Sequence, residues 1–328
     1  PRAINALTLD MVRHLTAALD AWRGSPHVDM VLLDGAGDRG LCAGGDVRGL
    51  REQIIAGHPE ATGEFFRAEY ALNAAIAEYP VPIVALADGI TMGGGIGLAG
   101  HARIRIVTER SRLAMPETRI GFTPDVGGSL LLARAPGRLG EYLALTGASM
   151  TAADALYAGF ADHLVPTAHL PALAEALETR ADPGSPSEIV LLFDDTPDDS
   201  PLERARGWID DAFAAPTVSE IVDRLRAGDV PEAHATADTL DELSPTALTI
   251  TLDAVRRARG LSLRDALEQE YRLVQWFATT QPDLAEGIRA QLVDKDRSPR
   301  WQPDTLDGLA PDLVDQAFSF APAVPLWG

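Results

Sequence analysis

Two carboxylates, Glu117 and Asp125, stand eight residues apart in AMPETRIGFTPDVGG (114–128). Each follows a proline, and Met115, Ile120, Phe122 and Val126 surround them with apolar side chains. A carboxylate in such a setting can act as general acid, general base or nucleophile. Apolar surroundings raise its pKa and help it exchange protons near neutrality. Spacing alone also allows a helix cap or a surface turn at each acid, since Pro116 and Pro124 suit turns.

Two glycine-rich turns precede these acids. MGGGIGLAG (92–100) matches Gly-x-Gly-x-x-Gly at Gly95, Gly97 and Gly100, after a strand and before a helix, the setting of a dinucleotide fingerprint. A run of three glycines has other uses. It allows a tight helix–strand crossing, or it leaves backbone N–H groups free at a helix start to hold a phosphate or a developing oxyanion. LCAGGD (41–46) offers a second such turn, with Asp46 placed to complement the next helix dipole. One N–H from each turn would make a minimal oxyanion hole.

These groups need a scaffold. Helical spacing over 8–22 puts Met11, Leu15, Leu19 and Trp22 on one face. VDMVLLDGAG (28–37) reads as a buried strand and turn, and 41–50 as a turn entering a helix. Residues 61–79 read as a helix stopped by Pro80 and Pro82, 82–89 as a strand, 90–100 as a turn and helix, and 102–109 as a strand. Strand, turn and helix recurring in this way predict an α/β fold with layered sheet and helix. The Pro-, Asp- and Ser-rich stretch 181–201 reads as a connection, and 202–328 as mostly helical. Ser244 and Pro245 should open a helix that stops at Gly260, with Leu248, Leu252 and Val255 as its stripe, and 262–277 should form another. The expected division is a catalytic core over 1–185 and a mainly helical region over 186–328.

The 328 residues carry 28 basic and 48 acidic side chains, a net charge of −20. That balance argues against a nucleic-acid partner. No run of about 18 apolar residues exists, so neither a membrane span nor a membrane partner is expected. One cysteine, Cys42, allows no internal disulfide and fits a reducing, cytoplasmic setting. The seven histidines show no metal-like clustering, so no metal site is expected. Lys295 is the lone lysine beside 27 arginines.

LCAGGD, GITMGGGIGL and AMPETRIGFTPDVGG together resemble the crotonase, or enoyl-CoA hydratase/isomerase, superfamily. FFRAEY (65–70), SPTALTITL, EYRLVQ and DKDRSPRW are similar to its 3-hydroxyisobutyryl-CoA hydrolase branch. The resemblance implies a crotonase-like spiral of ββα units with a helical C-terminal region. It implies an acyl-CoA substrate and no cofactor beyond the coenzyme A of that substrate. It gives the Gly45 and Gly94 N–H groups to the thioester oxyanion, Glu117 to catalysis and Asp125 to the substrate hydroxyl or water. Glu69 would contact substrate, Ala43 and Asp46 would lie beside coenzyme A, and Lys295 would meet its phosphates. The first hydratase glutamate falls on Gly97, which speaks against alkene hydration. Thioester hydrolysis in valine breakdown is therefore expected, with hydratase/isomerase activity or non-catalytic acyl-CoA binding as alternatives. A homo-oligomer is compatible with the superfamily.

Overall fold

The computed structural model describes residues 3–180, 182 and 185–327. The chain runs through α1 (Leu9–Trp22), β1 (Val31–Leu33), α2 (Val47–Ile55), α3 (Thr62–Ala77), β2 (Ile83–Ala87), β3 (Ile90–Met92), α4 (Gly94–Ala99), β4 (Ile104–Val107) and β5 (Arg112–Ala114). After a 3-10 turn at Glu117–Ile120 come α5 (Gly128–Arg134), α6 (Leu139–Thr146), α7 (Ala152–Tyr157), β6 (His163–Leu164), α8 (Leu170–Thr179) and α9 (Pro186–Leu191). The remainder is helical: α10 (Pro201–Phe213), α11 (Val218–Ala227), α12 (Pro231–Asp241), α13 (Pro245–Ala258), α14 (Leu263–Thr280), α15 (Asp283–Ile288) and α16 (Leu313–Ser319). Contacts gather the chain into two units, each drawn from three segments. The division expected at residue 185 is one of composition; these units are defined by contact.

The first unit takes residues 1–45, 68–114 and 149–203. It holds a parallel sheet in the order β1-β2-β4-β6 and a parallel pair, β3-β5. The register sets Val84 against Ile104 and Leu86 against Ile106. Their side chains bury against Val165, Leu173, Leu177 and Val190. All five residues of β2 are buried, which explains its unbroken apolar run, IVALA. β2, β3 and α4 form one strand–strand–helix unit, and β4 and β5 begin the next. Neither β3 nor β5 was legible in the sequence. Each has three residues, too few for alternation, and its partner lies some twenty residues away.

α1 begins where Thr8 accepts a hydrogen bond from the Met11 amide. Its buried stripe is shifted from the expected one. Val12 and Leu19 are buried, whereas Met11 and Trp22 are exposed. Within the expected connection, residues 181, 183 and 184 lie outside the described residues, and α9 forms from Pro186 onward.

The second unit takes residues 46–67, 115–148 and 204–328. Its described residues contain helices and turns and no strand. Ser244 caps α13 and Pro245 takes the first helical position, as expected. Phe122 sits edge-on to Phe277 at 5.7 Å between centroids and tilts over Phe66 at 6.1 Å. Glu141, fully buried on α6, is neutralised by Arg138 at 2.8 Å, Arg259 at 3.2 Å and Arg256 at 3.8 Å. Three guanidinium groups around one carboxylate offset its desolvation.

Candidate active site

The two glycine turns meet inside the first unit. Met92 N–H donates to the Cys42 carbonyl at 2.9 Å, and Cys42 N–H donates to the Ile90 carbonyl at 3.3 Å. This ladder lays segment 40–45 beside segment 89–95. Gly93 has φ 48° and ψ −117°, a conformation closed to ordinary side chains, and it turns β3 abruptly into α4. Gly44, at φ 109°, turns the facing segment. A Cβ placed on Gly94 would stand 3.4 Å from the Gly45 nitrogen and 2.5 Å from Glu69 Oε1. Gly45, Gly94 and Glu69 are thus immediate neighbours. Neither the Gly45 nor the Gly94 N–H donates to a protein acceptor among the described residues. Two adjacent free donors can hold one oxygen that gains charge.

Glu69 lies on α3 and is 2% exposed. Ala43 and Asp46 are exposed beside this turn. Asp46 also has a local duty: it caps α2, its Oδ1 accepting from Gly49 N–H at 3.4 Å. Cys42, close by, is buried. Burial pushes its thiol up to about 11, with the Gly44 hydrogen bond opposing and the Glu69 charge adding to the rise.

Glu117 and Asp125 lie in the second unit, 7% and 6% exposed. Glu117 opens the 3-10 turn after Pro116, and its carbonyl accepts from Phe122 N–H at 3.1 Å. The turn is clamped from two sides. Thr118 Oγ1 donates to the Ala144 and Leu145 carbonyls at the end of α6, at 3.3 and 3.1 Å. On the other side Gly287 of α15 packs so closely that a Cβ there would meet the Ile120 carbonyl at 2.3 Å. Gly121, at φ 68°, closes the turn against Asp283.

The chain then passes through Asp125 to Val126, which is fully buried at φ 54°. A β-branched residue in that region costs roughly 1–3 kcal/mol and persists only where its surroundings impose it. Glu270 of α14 supplies part of that constraint, accepting from Gly127 N–H at 2.6 Å and Ser129 N–H at 2.9 Å. No role was read for Glu270 in the sequence, although EYRLVQ was singled out. The signal was available, since an acid occupies a buried position among Ala266, Leu267, Tyr271, Val274 and Phe277. Lys295 is exposed at φ 58° between Asp294 and Asp296, both of which pair with Arg289. Gly97, where a hydratase would carry a glutamate, is buried within α4. No group of His, Cys, Asp and Glu suited to a metal occurs among the described residues.

The profile described as enoyl-CoA hydratase/isomerase matches residues 1–318. The protein named 3-hydroxyisobutyryl-CoA hydrolase, mitochondrial, of Danio rerio is 41% identical over 327 residues, spanning 97% of this chain and 85% of its own. Its namesake in Homo sapiens is 38% identical, spanning 97% and 84%. Two solved structures superpose closely. One is a carnitinyl-CoA dehydratase from Mycobacterium thermoresistibile, with TM-score 0.92, 45% identity, and 99% and 93% of the two chains covered. The other is an enoyl-CoA hydratase from Rhodobacter sphaeroides 2.4.1, with TM-score 0.90, 45% identity, and 97% and 92% covered. The hydrolase relatives are named mitochondrial, which overturns the cytoplasmic location read from the single cysteine. A single cysteine does not by itself assign a compartment. The ββα spiral and helical C-terminal region stand as expected, and by profile, relatives and fold the chain belongs to the enoyl-CoA hydratase/isomerase family.

Proposed function

We propose that this protein is an acyl-CoA thioester hydrolase acting on 3-hydroxyisobutyryl-CoA. The observation that carries this reading is the set of buried acids: Glu117 and Asp125 are present, while Gly97 occupies the place of the first hydratase glutamate. Relatives named for this hydrolysis align with 97% of the chain.

In the proposed reaction the Gly45 and Gly94 N–H groups take the thioester oxygen as it becomes an oxyanion. One such donor is worth about 100- to 1000-fold in rate. Glu117 supplies the carboxylate by one of two routes. As nucleophile it adds to the carbonyl, expels the coenzyme A thiolate and leaves an anhydride that water opens. As general base it takes a proton from water, whose oxygen adds to the carbonyl, and returns the proton to the departing thiolate. Both routes consume one water and yield the hydroxy acid and free thiol, with no metal or redox group taking part. Asp125 accepts the substrate 3-hydroxyl, Glu69 contacts the acyl portion, Ala43 and Asp46 flank coenzyme A, and Lys295 meets its phosphates.

The solved structures named dehydratase and hydratase favour a second reading, alkene hydration. Thiol release from 3-hydroxyisobutyryl-CoA, followed with a thiol reagent beside crotonyl-CoA hydration, separates the two. We expect release and little hydration; hydration without release would overturn the hydrolase reading. Glu117→Gln should lower release by roughly 100-fold or more while leaving circular dichroism unchanged. Single-turnover hydrolysis in ¹⁸O-water distinguishes the two routes. Label in the Glu117 carboxylate marks an anhydride opened at the enzyme carbonyl; label in the product alone favours the general base.

A further inference from the structure

Asp125 sits in a short loop that is held on both sides by side chains from two helices. Two residues before it, Thr123 Oγ1 accepts from Thr251 Oγ1 of α13 at 3.1 Å. Two and four residues after it, Gly127 and Ser129 are held by Glu270 of α14. Oε2 accepts from Gly127 N–H at 2.6 Å, and Oε1 accepts from Ser129 N–H at 2.9 Å and from Ser129 Oγ at 2.5 Å. Glu270 is fully buried. Its donors, Gly127 and Ser129, lie where the segment carrying Asp125 enters α5. Between the two anchors, Val126 is kept in its left-handed conformation, and that conformation sets the direction in which the chain leaves Asp125.

We infer that Glu270 is a positioning residue: through Gly127 and Ser129 it fixes Asp125 against the substrate 3-hydroxyl and so sets the preference for hydroxylated acyl thioesters. This rests on the hydrolase reading above. The anchor tolerates either charge state. A serine hydroxyl both donates and accepts, so the neutral acid can give its proton to Ser129 Oγ and still receive the two amides. Glutamine cannot do the same. One of its two polar atoms must be an NH₂ group, which would face the N–H of Gly127 or of Ser129.

The test uses the full chain with 3-hydroxyisobutyryl-CoA and isobutyryl-CoA, the latter lacking only the hydroxyl. Wild type, Glu270→Gln, Asp125→Asn and the double variant are compared by thiol release. Glu270→Gln should lower kcat/KM for the hydroxylated substrate by roughly 10- to 100-fold, the scale of a small misplacement. The deoxy substrate should change by less than about 3-fold, because the group being positioned has nothing there to hold. In the Asp125→Asn background Glu270→Gln should add little, since both act through one contact. Equal losses on both substrates, with effects that multiply, would overturn the assignment. Should Glu270→Gln fail to fold, Ser129→Ala enters the same cycle. It removes one of three hydrogen bonds and keeps both amides paired, and a loss shared equally by both substrates again overturns the assignment. A wild-type protein that releases thiol from neither substrate sinks the hydrolase reading and this assignment together. An active wild type with multiplying effects sinks the assignment alone.

Discussion

Adjacent glycines in the 93–95 run serve different ends, and this separates a functional residue from a structural one. A Cβ on Gly94 would press on Glu69 Oε1 at 2.5 Å, the far end of a side chain. A Cβ on Gly95 would press on the Cys42 carbonyl oxygen at 2.4 Å, which is backbone in the ladder that places Gly45. Gly94→Ala should therefore leave stability near wild type, since alanine also favours the helix, but lower kcat/KM by displacing Glu69. Gly95→Ala should cost about 1–3 kcal/mol of stability through overpacking. Denaturant melts and thiol-release assays on both variants test this. Wild-type kcat/KM in Gly94→Ala would contradict the role given to its surroundings.

At the scale of elements, Glu117 owes its position to a four-residue turn too short to hold itself. α6 holds the turn through Thr118, and α15 presses on Ile120 through Gly287. Four residues before Gly287, the Asp283 carbonyl packs against Gly121, where the same helix closes the turn's far end. Gly287→Ala should push the turn away, destabilise the protein by about 1–3 kcal/mol and reduce thiol release beyond what the unfolded fraction explains. Activity per folded molecule equal to wild type would show that Glu117 is placed by other contacts. These clamps were not legible in the sequence. Gly287 and Ile120 are separated by more than 160 residues, and nothing local in AEGIRA marks its glycine as a contact point.

Across the whole molecule, charge is managed by arginine. Its fork meets carboxylates in pairs, as at Glu141 and at Arg289, which binds Glu286, Asp294 and Asp296. Other buried acids, Glu270 among them, are held by donors that carry no charge. Burial pushes the Glu270 carboxyl up to about 8, against the Ser129 and Gly127 hydrogen bonds and with the Asp125 charge adding to the rise. The unfolded chain releases this proton near the ordinary value of 4.5. Between those two values the unfolded state binds fewer protons, so stability is full below the lower one and falls as pH rises through the upper one. Glu270→Gln stays neutral throughout. The stability of wild type relative to this variant should therefore decline from pH 5 to pH 8.5 in denaturant titrations. A constant difference would remove Glu270 from this linkage.

The sequence by itself determined the α/β alternation, the cap at Ser244, and the two glycine turns. It also determined, through quoted motifs, the family and the identity of Glu117 and Asp125 as the acids to examine. These are local or patterned properties: hydrophobic periodicity, capping chemistry and contiguous motifs survive in one dimension. Only the tertiary structure decided that the Gly45 and Gly94 amides lie side by side, with no protein acceptor among the described residues, and that Glu69 stands against Gly94. It alone paired β3 with β5 and brought Glu270 to the loop behind Asp125. Each of these joins residues from about twenty to over a hundred positions apart. Such partners are chosen by packing and by the demand that buried polar groups be paired, and neither leaves a local mark in the chain.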